Sequence, residues 1–425
     1  KDIDILCIGS GINFAINVQN SIDSTKKINI YKRFGTAMLK WKDYTVEFVG
    51  ARKESYSEDS RKPEVKAGTF LDDMNRRDFT INTLAISLNK ENYGELIDTF
   101  NGIGDLNKGI IKTPTDADKT FSDDPLRMLR AVRFSSQLNY KIERNTFESI
   151  KRNQNRIEIL SGERISEELN KILMQDKPSN GFILLDKLNI LKTILPELES
   201  LKGIEEVEGQ THKDNFYHTL EVVDNISSKT NNIWLRWAAL LHDIGKSSTK
   251  KFNKEIGWTF HGHEYVGYKM VKQIFTRLKL PLNDSMKYVQ KIVMMSSRPV
   301  IIAEEIVTDS AVRRLIYDAG DSIDDLLTLC EADITTKNKR KFEQYHNNFK
   351  IVRQKIKKVE EKDNIRNFQP PVTGEVIMKH FKIGPCKEVG IIKDEIKNAI
   401  LDGEIENNYK SAFNLMKIRG KSLGL

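Results

Sequence analysis

Two aspartates alternate with isoleucines at the start of the sequence, in the order Lys1-Asp2-Ile3-Asp4-Ile5. On a β-strand, residues two apart point to the same face, so Asp2 and Asp4 would lie side by side while Ile3 and Ile5 face a core. Adjacent carboxylates repel each other unless a cation lies between them. Mg²⁺ binds such carboxylates together with water and phosphate oxygens, and paired metals promote displacement of pyrophosphate. The alternative is an edge strand with two solvated acids.

A third carboxylate strengthens the first interpretation. Residues 44–49 alternate in the manner of a strand and would place Glu47 beside the aspartate pair. Three acids on one face are a plausible ligand set for divalent metals, so the sequence predicts Asp2, Asp4 and Glu47 as catalytic residues.

Residues 76–82 have the sequence RRDFTIN and run into a short apolar segment, residues 83–86, which is predicted to be helical. Arginines at the start of a helix suit phosphate, because backbone N–H groups and the helix dipole add to their charge. Arg76 and Arg77 would bind a triphosphate, and Asp78 would accept a hydrogen bond from a ribose hydroxyl. A capped helix with surface ion pairs is the alternative.

Residues 121–130, with the sequence FSDDPLRMLR, carry an aspartate followed by a proline, which predicts the start of a helix at Asp124. Asp124 and Arg127 are three apart and would share a face. A carboxylate accepts from the exocyclic amine of C or A, while a guanidinium donates to a ring nitrogen or carbonyl. The pair could therefore select CTP and ATP. The alternative is an ordinary ion pair at a helix start.

Histidines are concentrated in one region, since five of the seven lie at positions 212–263. His242 and Asp243 follow an apolar segment predicted to be a helix over residues 234–241, and His218 lies upstream. Imidazole and carboxylate ligands together suit a divalent transition metal or Mg²⁺. Such a metal could activate water for attack on a phosphate ester.

Asp333 closes a later predicted helix, residues 326–334, and completes an H…HD…D order. His261 and His263 would extend this site or orient its substrate. A lone histidine is usually structural, but the clustered set favours a metal centre with His218, His242, Asp243 and Asp333 as ligands and His263 as a further candidate.

Together these strings resemble the class II tRNA nucleotidyltransferase and poly(A) polymerase family, over essentially the whole chain. In that family the DxD carboxylates hold the catalytic metals, RRDFTIN contacts the sugar and triphosphate, and an EDxxR motif selects the base; here Asp123 replaces the glutamate. The resemblance implies nucleotide-binding roles for eight residues: Arg76, Arg77, Asp78, Asn82, Asp123, Asp124, Arg127 and Arg130.

The H…HD…D order resembles the HD metal-dependent phosphohydrolase superfamily. Some nucleotidyltransferases with such a domain are thought to trim 2′,3′-cyclic phosphates or 2′-phosphates, so hydrolysis is a second hypothesis. The family also carries a glycine-rich GG-x-VRD segment before the DxD strand, which helps to cradle the triphosphate. The sequence starts at Lys1, so we expect that its N-terminus was cut off or not included.

The composition agrees with an RNA-processing enzyme. A net charge of +8 over 425 residues favours an RNA partner. Cys7, Cys330 and Cys386 have no spacing that suggests pairing, which fits a reducing compartment, and we expect a cytoplasmic protein. No apolar stretch approaches the length of a membrane span, so no membrane partner is expected.

The predicted fold class is α+β, with a polymerase β-like, mixed-sheet nucleotidyltransferase palm followed by an all-helical neck, HD domain and tail. The predicted bounds are 1–112 for the palm, 113–200 for the neck, 201–345 for the HD domain and 346–425 for an RNA-binding tail. Within the palm, residues 51–68 are rich in charge, serine and proline and are predicted to form a loop.

The leading hypothesis is a CCA-adding enzyme that uses CTP, ATP and Mg²⁺ at the 3′ acceptor end of tRNA, with a metal of unknown identity in the HD domain. A poly(A) polymerase and a CC- or A-adding specialist are close alternatives. An HD phosphohydrolase and a non-catalytic RNA-binding protein are the alternatives from other classes. The oligomeric state is not encoded visibly.

Overall fold

The computed structural model describes residues 2–25, 27–32, 35–57, 60–304, 308–336, 338–363, 365–366 and 368–425. Lys1 of the opening motif therefore lies outside the described residues. The chain forms two compact units, one of residues 1–172 and 180–194 and the other of residues 173–179 and 195–425. Helices dominate and several small sheets accompany them, so the predicted α+β class is confirmed. The bounds of the four predicted domains stay a prediction.

Strands and helices alternate in the N-terminal part of the chain. The strands are β1 (Asp2–Cys7), β2 (Ile28–Tyr31), β3 (Thr36–Trp41), β4 (Tyr44–Gly50), β5 (Arg52–Ser57), β6 (Ser60–Ala67), β7 (Ala85–Ile86), β8 (Leu96–Ile97), β9 (Ile110–Ile111) and β10 (Lys141–Ile142). The helices are α1 (Gly11–Ile22), α2 (Phe70–Asn75), α3 (Gly102–Lys108), α4 (Ala117–Asp123), α5 (Leu126–Leu138), α6 (Arg144–Asn153), α7 (Gly162–Leu173), α8 (Pro178–Lys187) and α9 (Leu191–Ile194).

The C-terminal part is mainly helical. Its helices are α10 (Pro196–Glu199), α11 (Asn215–Ser227), α12 (Ile233–Leu241), α13 (Lys246–Thr249), α14 (His263–Arg277), α15 (Asp284–Met295), α16 (Arg298–Glu304), α17 (Asp309–Ala319), α18 (Ile323–Ala332), α19 (Lys339–Asp363), α20 (Gly374–Phe381), α21 (Lys387–Asp402) and α22 (Tyr409–Ser422). Its strands form two short hairpins, β11 (Glu206–Val207) with β12 (Gln210–Thr211) and β13 (Lys251–Asn253) with β14 (Gly257–Thr259).

A four-stranded sheet in the order β1-β4-β3-β2 carries the predicted acidic site. Strand β1 runs parallel to β4, and the other neighbours are antiparallel. Helix α1 lies against one face, where Ala15 packs with Leu39 and Phe48 in a small core. Ile5 joins this core as predicted, but Ile3 is 41% exposed because β1 is the edge strand of the sheet.

The start of α1 lies very close to the backbone of β4. A Cβ atom on Gly11 would stand 2.7 Å from the backbone nitrogen of Gly50, so the approach requires glycine at this position. This contact fixes the helix against the apolar face and leaves the opposite face of β1 and β4 open.

Two local predictions in the palm were wrong. Residues 51–68 contain the antiparallel hairpin of β5 and β6 instead of a loop, since ladder hydrogen bonds use backbone groups and tolerate polar side chains on both faces. Residues 83–86 contain strand β7, paired with β8, instead of a helix. The helix lies before the arginines, where a capping box of Thr69 and Asp72 starts α2.

The second unit holds α12 in place through a buried arginine. Arg236 is 2% exposed and donates hydrogen bonds to four backbone carbonyls at 2.8–3.0 Å. These carbonyls belong to Leu173, Gln175, Ser227 and Thr230. Because α12 leads directly into His242, this network positions one of the predicted metal ligands.

No helix in the described part of the chain is both long and apolar enough to span a membrane.

Candidate nucleotide site and candidate metal centre

The register of the palm sheet brings the three predicted acids onto one face. Asp4 pairs with Glu47 and Asp2 with Thr45 across the parallel strands β1 and β4. Paired residues on neighbouring strands lie about 5 Å apart and point the same way. All three acidic side chains are exposed on the face opposite α1. Clustered carboxylates of this kind fit a divalent cation, which would offset their mutual repulsion.

Asp78 is the centre of a hydrogen-bond network on the RRDFTIN segment. Its Oδ1 accepts from the Asn82 side chain at 2.9 Å and from the Phe79 backbone at 3.0 Å. Its Oδ2 accepts from Nε of Arg130 on α5 at 2.6 Å. A carboxylate has about four lone-pair sites, so Asp78 retains capacity for one further donor, such as a ribose hydroxyl. The network joins the RRDFTIN segment to α5.

Arg76 and Arg77 lie just after α2 rather than at the start of a helix, as Arg76 caps the C-terminus of α2. The prediction that helix N–H groups assist these two side chains is therefore wrong. Phosphate binding here would depend on the charges of the guanidinium groups themselves. Their side chains are 20% and 33% exposed. The side chains are oriented by contacts within the segment, which include a bond from Nη1 of Arg77 to the Asn82 carbonyl at 3.1 Å.

The predicted pair of Asp124 and Arg127 is arranged differently from the expectation. Asp124 ends α4 and accepts from the Leu126 backbone at 3.2 Å, so it does lie at the start of α5, but residues 121–123 belong to the preceding helix. Arg127 is 9% exposed and donates to the carbonyls of Arg76 at 2.5 Å and Thr120 at 3.3 Å. These carbonyls lie at helix ends, where unsatisfied acceptors attract a guanidinium.

Asp123, the residue that replaces the family's glutamate, is partly buried at the end of α4. Burial raises the pKa of its carboxyl, although Lys119, Arg127 and Arg156 act in the opposite direction. Asp123 therefore lies close enough to Arg127 for their charges to interact.

Four predicted metal ligands converge in the second unit. His218 comes from α11, His242 and Asp243 follow α12, and Asp333 follows α18. Nε2 of His218 lies 2.8 Å from Oδ1 of Asp333 and 3.7 Å from Oδ2 of Asp243. Nε2 of His242 lies 3.5 Å and 3.4 Å from the same two oxygens. The side chains thus surround a point that a single ion would fill.

The hydrogen bonds behind the imidazoles orient them for metal binding. Nδ1 of His242 lies 2.8 Å from the carbonyl of Ala239, which can only accept, so Nδ1 carries the proton and Nε2 keeps its lone pair when the ring is neutral. Among the described residues, Nε2 of His242 is buried with no hydrogen-bond partner. Oδ1 of Asp333 is also buried without a bond of good geometry, although His218 approaches it. Both atoms fit a divalent metal.

The charges of the two carboxylates in the cluster also favour a bound cation. Burial alone would lower the pKa of His242, but Asp243 and Asp333 outweigh it and raise the pKa to about 10. Burial alone would raise the pKa of Asp243, but His242 and Lys246 hold it well below its usual range. The pKa of Asp333 is lowered as well, by His218 and His242 against burial. Two ionised carboxylates, one buried and one partly buried, therefore lie side by side.

The two remaining candidate histidines near the cluster lie in different environments. Nε2 of His263 lies 3.6 Å from Oδ1 of Asp243, and Nδ1 of the same ring faces the carbonyl of Phe260 at 2.9 Å, so His263 adjoins the site. His261 is exposed in a turn. Lys246, which was not predicted as a site residue, contacts Oδ2 of Asp243 at 2.6 Å. Its i+3 spacing after Asp243 was the signal that could have identified it.

Comparison with known families assigns most of the chain. Residues 1–112 match the family described as "Poly A polymerase head domain". Residues 139–202 match "Probable RNA and SrmB- binding site of polymerase A", and residues 215–337 match "HD domain". The first match covers the palm sheet and the RRDFTIN segment, and the last covers the histidine–aspartate cluster.

Known relatives carry related names. The A-adding tRNA nucleotidyltransferase of Deinococcus radiodurans is 31% identical over 270 residues, which are 62% of this chain and 59% of the relative. The Multifunctional CCA protein of Shewanella frigidimarina is 30% identical over 289 residues, which are 65% of this chain and 66% of the relative. The matched region thus spans a little more than half to about two thirds of these relatives.

Solved structures support the fold over nearly the whole chain. The CCA-adding enzyme of Bacillus stearothermophilus in complex with CTP has a TM-score of 0.65 at 20% identity, covering 100% of this chain and 90% of that chain. An apo form of a CCA-adding enzyme has a TM-score of 0.62 at 24% identity, covering 97% and 84%. The chain contains a poly(A) polymerase head domain, a region that matches the RNA-binding site of polymerase A, and an HD domain. The predicted resemblance is confirmed.

We expect the HD cluster to bind one divalent ion, and His242→Ala to abolish this binding because it removes a buried ligand. Isothermal titration of the metal-free protein with Mn²⁺ measures the stoichiometry. His261→Ala is the matched control, since His261 lies two residues from His263 but is exposed, and it should bind as the wild type does. Equal binding by His242→Ala would contradict the assignment.

The pH dependence of metal binding provides a second test of the same site. The raised pKa of His242 means that the metal-free ring holds a proton at neutral pH, and the metal must displace it. Affinity should therefore rise with pH, by about tenfold per unit for one displaced proton. A pH-independent affinity between pH 6 and 8 would contradict this arrangement.

Proposed function

We propose that the protein is a CCA-adding tRNA nucleotidyltransferase, which transfers CMP, CMP and AMP in turn from CTP and ATP to the 3′ end of tRNA. The observation that carries the proposal is the in-register pairing of Asp4 with Glu47, which sets three acids on one exposed face. The same compact unit contains the two arginines and the Asp78 network. Relatives with CCA- and A-adding names support the proposal.

In the proposed reaction, the 3′ oxygen of the tRNA attacks the α-phosphorus of the nucleotide. The bond from that phosphorus to the bridging oxygen breaks, and pyrophosphate leaves with the electron pair. Asp2, Asp4 and Glu47 would hold Mg²⁺, which lowers the pKa of the attacking hydroxyl and neutralises the leaving group when bound. Arg76 and Arg77 would bind the triphosphate, since guanidinium groups recognise phosphate oxygens in two-point fashion.

The sugar and base would be held by side chains of the RRDFTIN segment and α5. Asp78 and Asn82 already form a hydrogen-bonded pair and would contact the ribose. Asp124 and Arg127 would read the Watson–Crick edge of C or A, with Asp123 and Arg130 beside them. Arg127 is tied to two carbonyls in the present arrangement, so base reading by this residue requires it to exchange one of those bonds for the base.

Partners and location follow from the same proposal. The net charge of +8 favours the polyanionic acceptor arm of tRNA. CTP and ATP would be the small-molecule substrates, and the cytoplasm is the expected compartment.

The test is extension of a tRNA transcript that lacks its 3′ CCA, with Mg²⁺ and labelled CTP or ATP, resolved on a sequencing gel. We expect addition of C, C and A followed by a stop. Glu47→Gln should slow the reaction by about 100-fold or more, as expected for loss of a metal ligand in the transition state. Glu91→Gln, an exposed glutamate in the same unit, should not.

The products separate the close alternatives. A long ladder of A would identify a poly(A) polymerase, and addition of only CC or only A would identify a specialist. No incorporation from either nucleotide would contradict the proposal.

A second activity is favoured by the buried, unpartnered Nε2 of His242 in a cluster that fits a metal. We infer that the HD domain hydrolyses 2′,3′-cyclic phosphates or 2′-phosphates at RNA ends, where Lys246 and His263, which adjoin Asp243, would contact the substrate phosphate. A metal there would activate the attacking water when bound.

Hydrolysis of 2′,3′-cyclic AMP with added divalent metal tests this inference. We expect His242→Ala and Asp243→Ala to lose activity, because each removes a buried metal ligand. Asp4→Asn is the control, as it removes a carboxylate of the palm and should hydrolyse normally. Wild-type protein that shows no hydrolysis with Mg²⁺, Mn²⁺, Co²⁺ or Ni²⁺ would exclude the second activity.

A further inference from the structure

A fully buried carboxylate holds the two arginines of the RRDFTIN segment. Asp73, near the end of α2, is 0% exposed. Its Oδ1 accepts from Nε and Nη2 of Arg76 at 2.8 and 2.6 Å. Its Oδ2 accepts from Nε and Nη2 of Arg77 at 3.4 and 3.3 Å. Each oxygen therefore serves one arginine, and a single side chain sets the spacing of the two guanidinium groups.

This arrangement solves an electrostatic problem. Two guanidinium groups held close together repel each other, and an ionised carboxylate buried without a partner is costly. The charge of Asp73 therefore offsets the repulsion between the two guanidinium groups, and their charges offset the cost of burying Asp73. Glu54 on β5 adds a second contact, since its Oε1 lies 3.5 Å from Nη1 of Arg76.

The outer edges of both arginines stay available to a ligand. Their side chains are 20% and 33% exposed while the carboxylate beneath them is not. A guanidinium has five N–H groups, and the contacts described for Arg77 use one group on each of its three nitrogens. Both arginines can therefore donate to phosphate oxygens without leaving Asp73.

We propose that Asp73 is a positioning residue for the triphosphate, which acts by fixing Arg76 and Arg77 before the nucleotide arrives. The proposal rests on the proposed function, because it needs a triphosphate at this place. Buried ion pairs usually contribute little net stability compared with apolar packing. Pre-arranged donors, by contrast, bind a ligand without paying the ordering entropy of two long side chains.

The test compares two isosteric variants by equilibrium dialysis in Mg²⁺, with ATP and adenosine as the ligands. Asp73→Asn keeps the volume but halves the capacity of the side chain to accept. We expect ATP affinity to fall by about tenfold or more, the equivalent of one charge-assisted hydrogen bond to the ligand. Adenosine affinity should stay unchanged, because adenosine has no phosphate. Asp72→Asn is the matched control, because it makes the same charge change one residue earlier and the hydrogen bonds described for the Asp72 carboxylate go to Thr69 and not to the arginines.

The ratio of ATP to adenosine affinity separates positioning from folding. A general loss of structure would weaken the binding of both ATP and adenosine and lower Mn²⁺ binding by the HD domain. Loss of positioning would lower only the ratio of ATP affinity to adenosine affinity. If Asp73→Asn does not fold, Glu54→Gln provides the second variant, since it weakens the longer contact to Arg76 and should lower the ratio by a smaller factor, about threefold.

The outcomes are distinct. An unchanged ratio in Asp73→Asn, or in Glu54→Gln where that variant is the one available, overturns the positioning role while leaving the proposed function intact. Wild-type protein that binds ATP no better than adenosine overturns both. A lowered ratio in Asp73→Asn with an unchanged ratio in Asp72→Asn supports the proposal.

Discussion

The first compact unit depends on the parallel pairing of β1 with β4. That register alone decides that Asp4 faces Glu47 and that Asp2 lies on the same face. A shift by one residue would turn the acids towards α1 and the apolar side chains outward. The small core of Ala15, Leu39 and Phe48 prevents such a shift, because it must be covered by α1. The acids are thus held together by packing on the other face, and their repulsion is left for a cation to offset.

The second unit also holds neighbouring carboxylates whose charges must be offset, but it holds them in a less exposed environment. Asp243 is buried and Asp333 is partly buried, so His218, His242 and Lys246 take much of the place of water as neighbours of these carboxylates. The His242 ring is oriented by the carbonyl of Ala239 and the His218 ring by the hydroxyl of Thr335, and Arg236 holds the helix that precedes His242. A metal would replace protons at this centre, whereas in the palm it would replace solvent. The two sites are therefore expected to differ in how strongly pH affects their metal binding.

Short-range patterns in the sequence predicted what lies within a strand or a motif. The two-residue period placed Asp2 and Asp4 together, and the alternation of residues 44–49 placed Glu47 beside them. The hairpin of β5 and β6 was missed because its sequence is mostly polar and charged and shows no apolar alternation. The pairing of Asp78 with Arg130 crosses 52 positions, so no local spacing could reveal it. Asp73 was visible in principle, at three and four residues before the arginines, but its burial was not.

The central claim is that Asp2, Asp4 and Glu47 form a divalent-metal site that operates with a nucleoside triphosphate. The most direct measurement is Mn²⁺ binding by electron paramagnetic resonance in the presence of ATP, made on the His242→Ala protein so that the HD cluster does not contribute. We predict that this protein binds Mn²⁺ together with ATP and that a second substitution, Asp4→Asn, abolishes that binding. Equal Mn²⁺ binding with and without Asp4 would contradict the account.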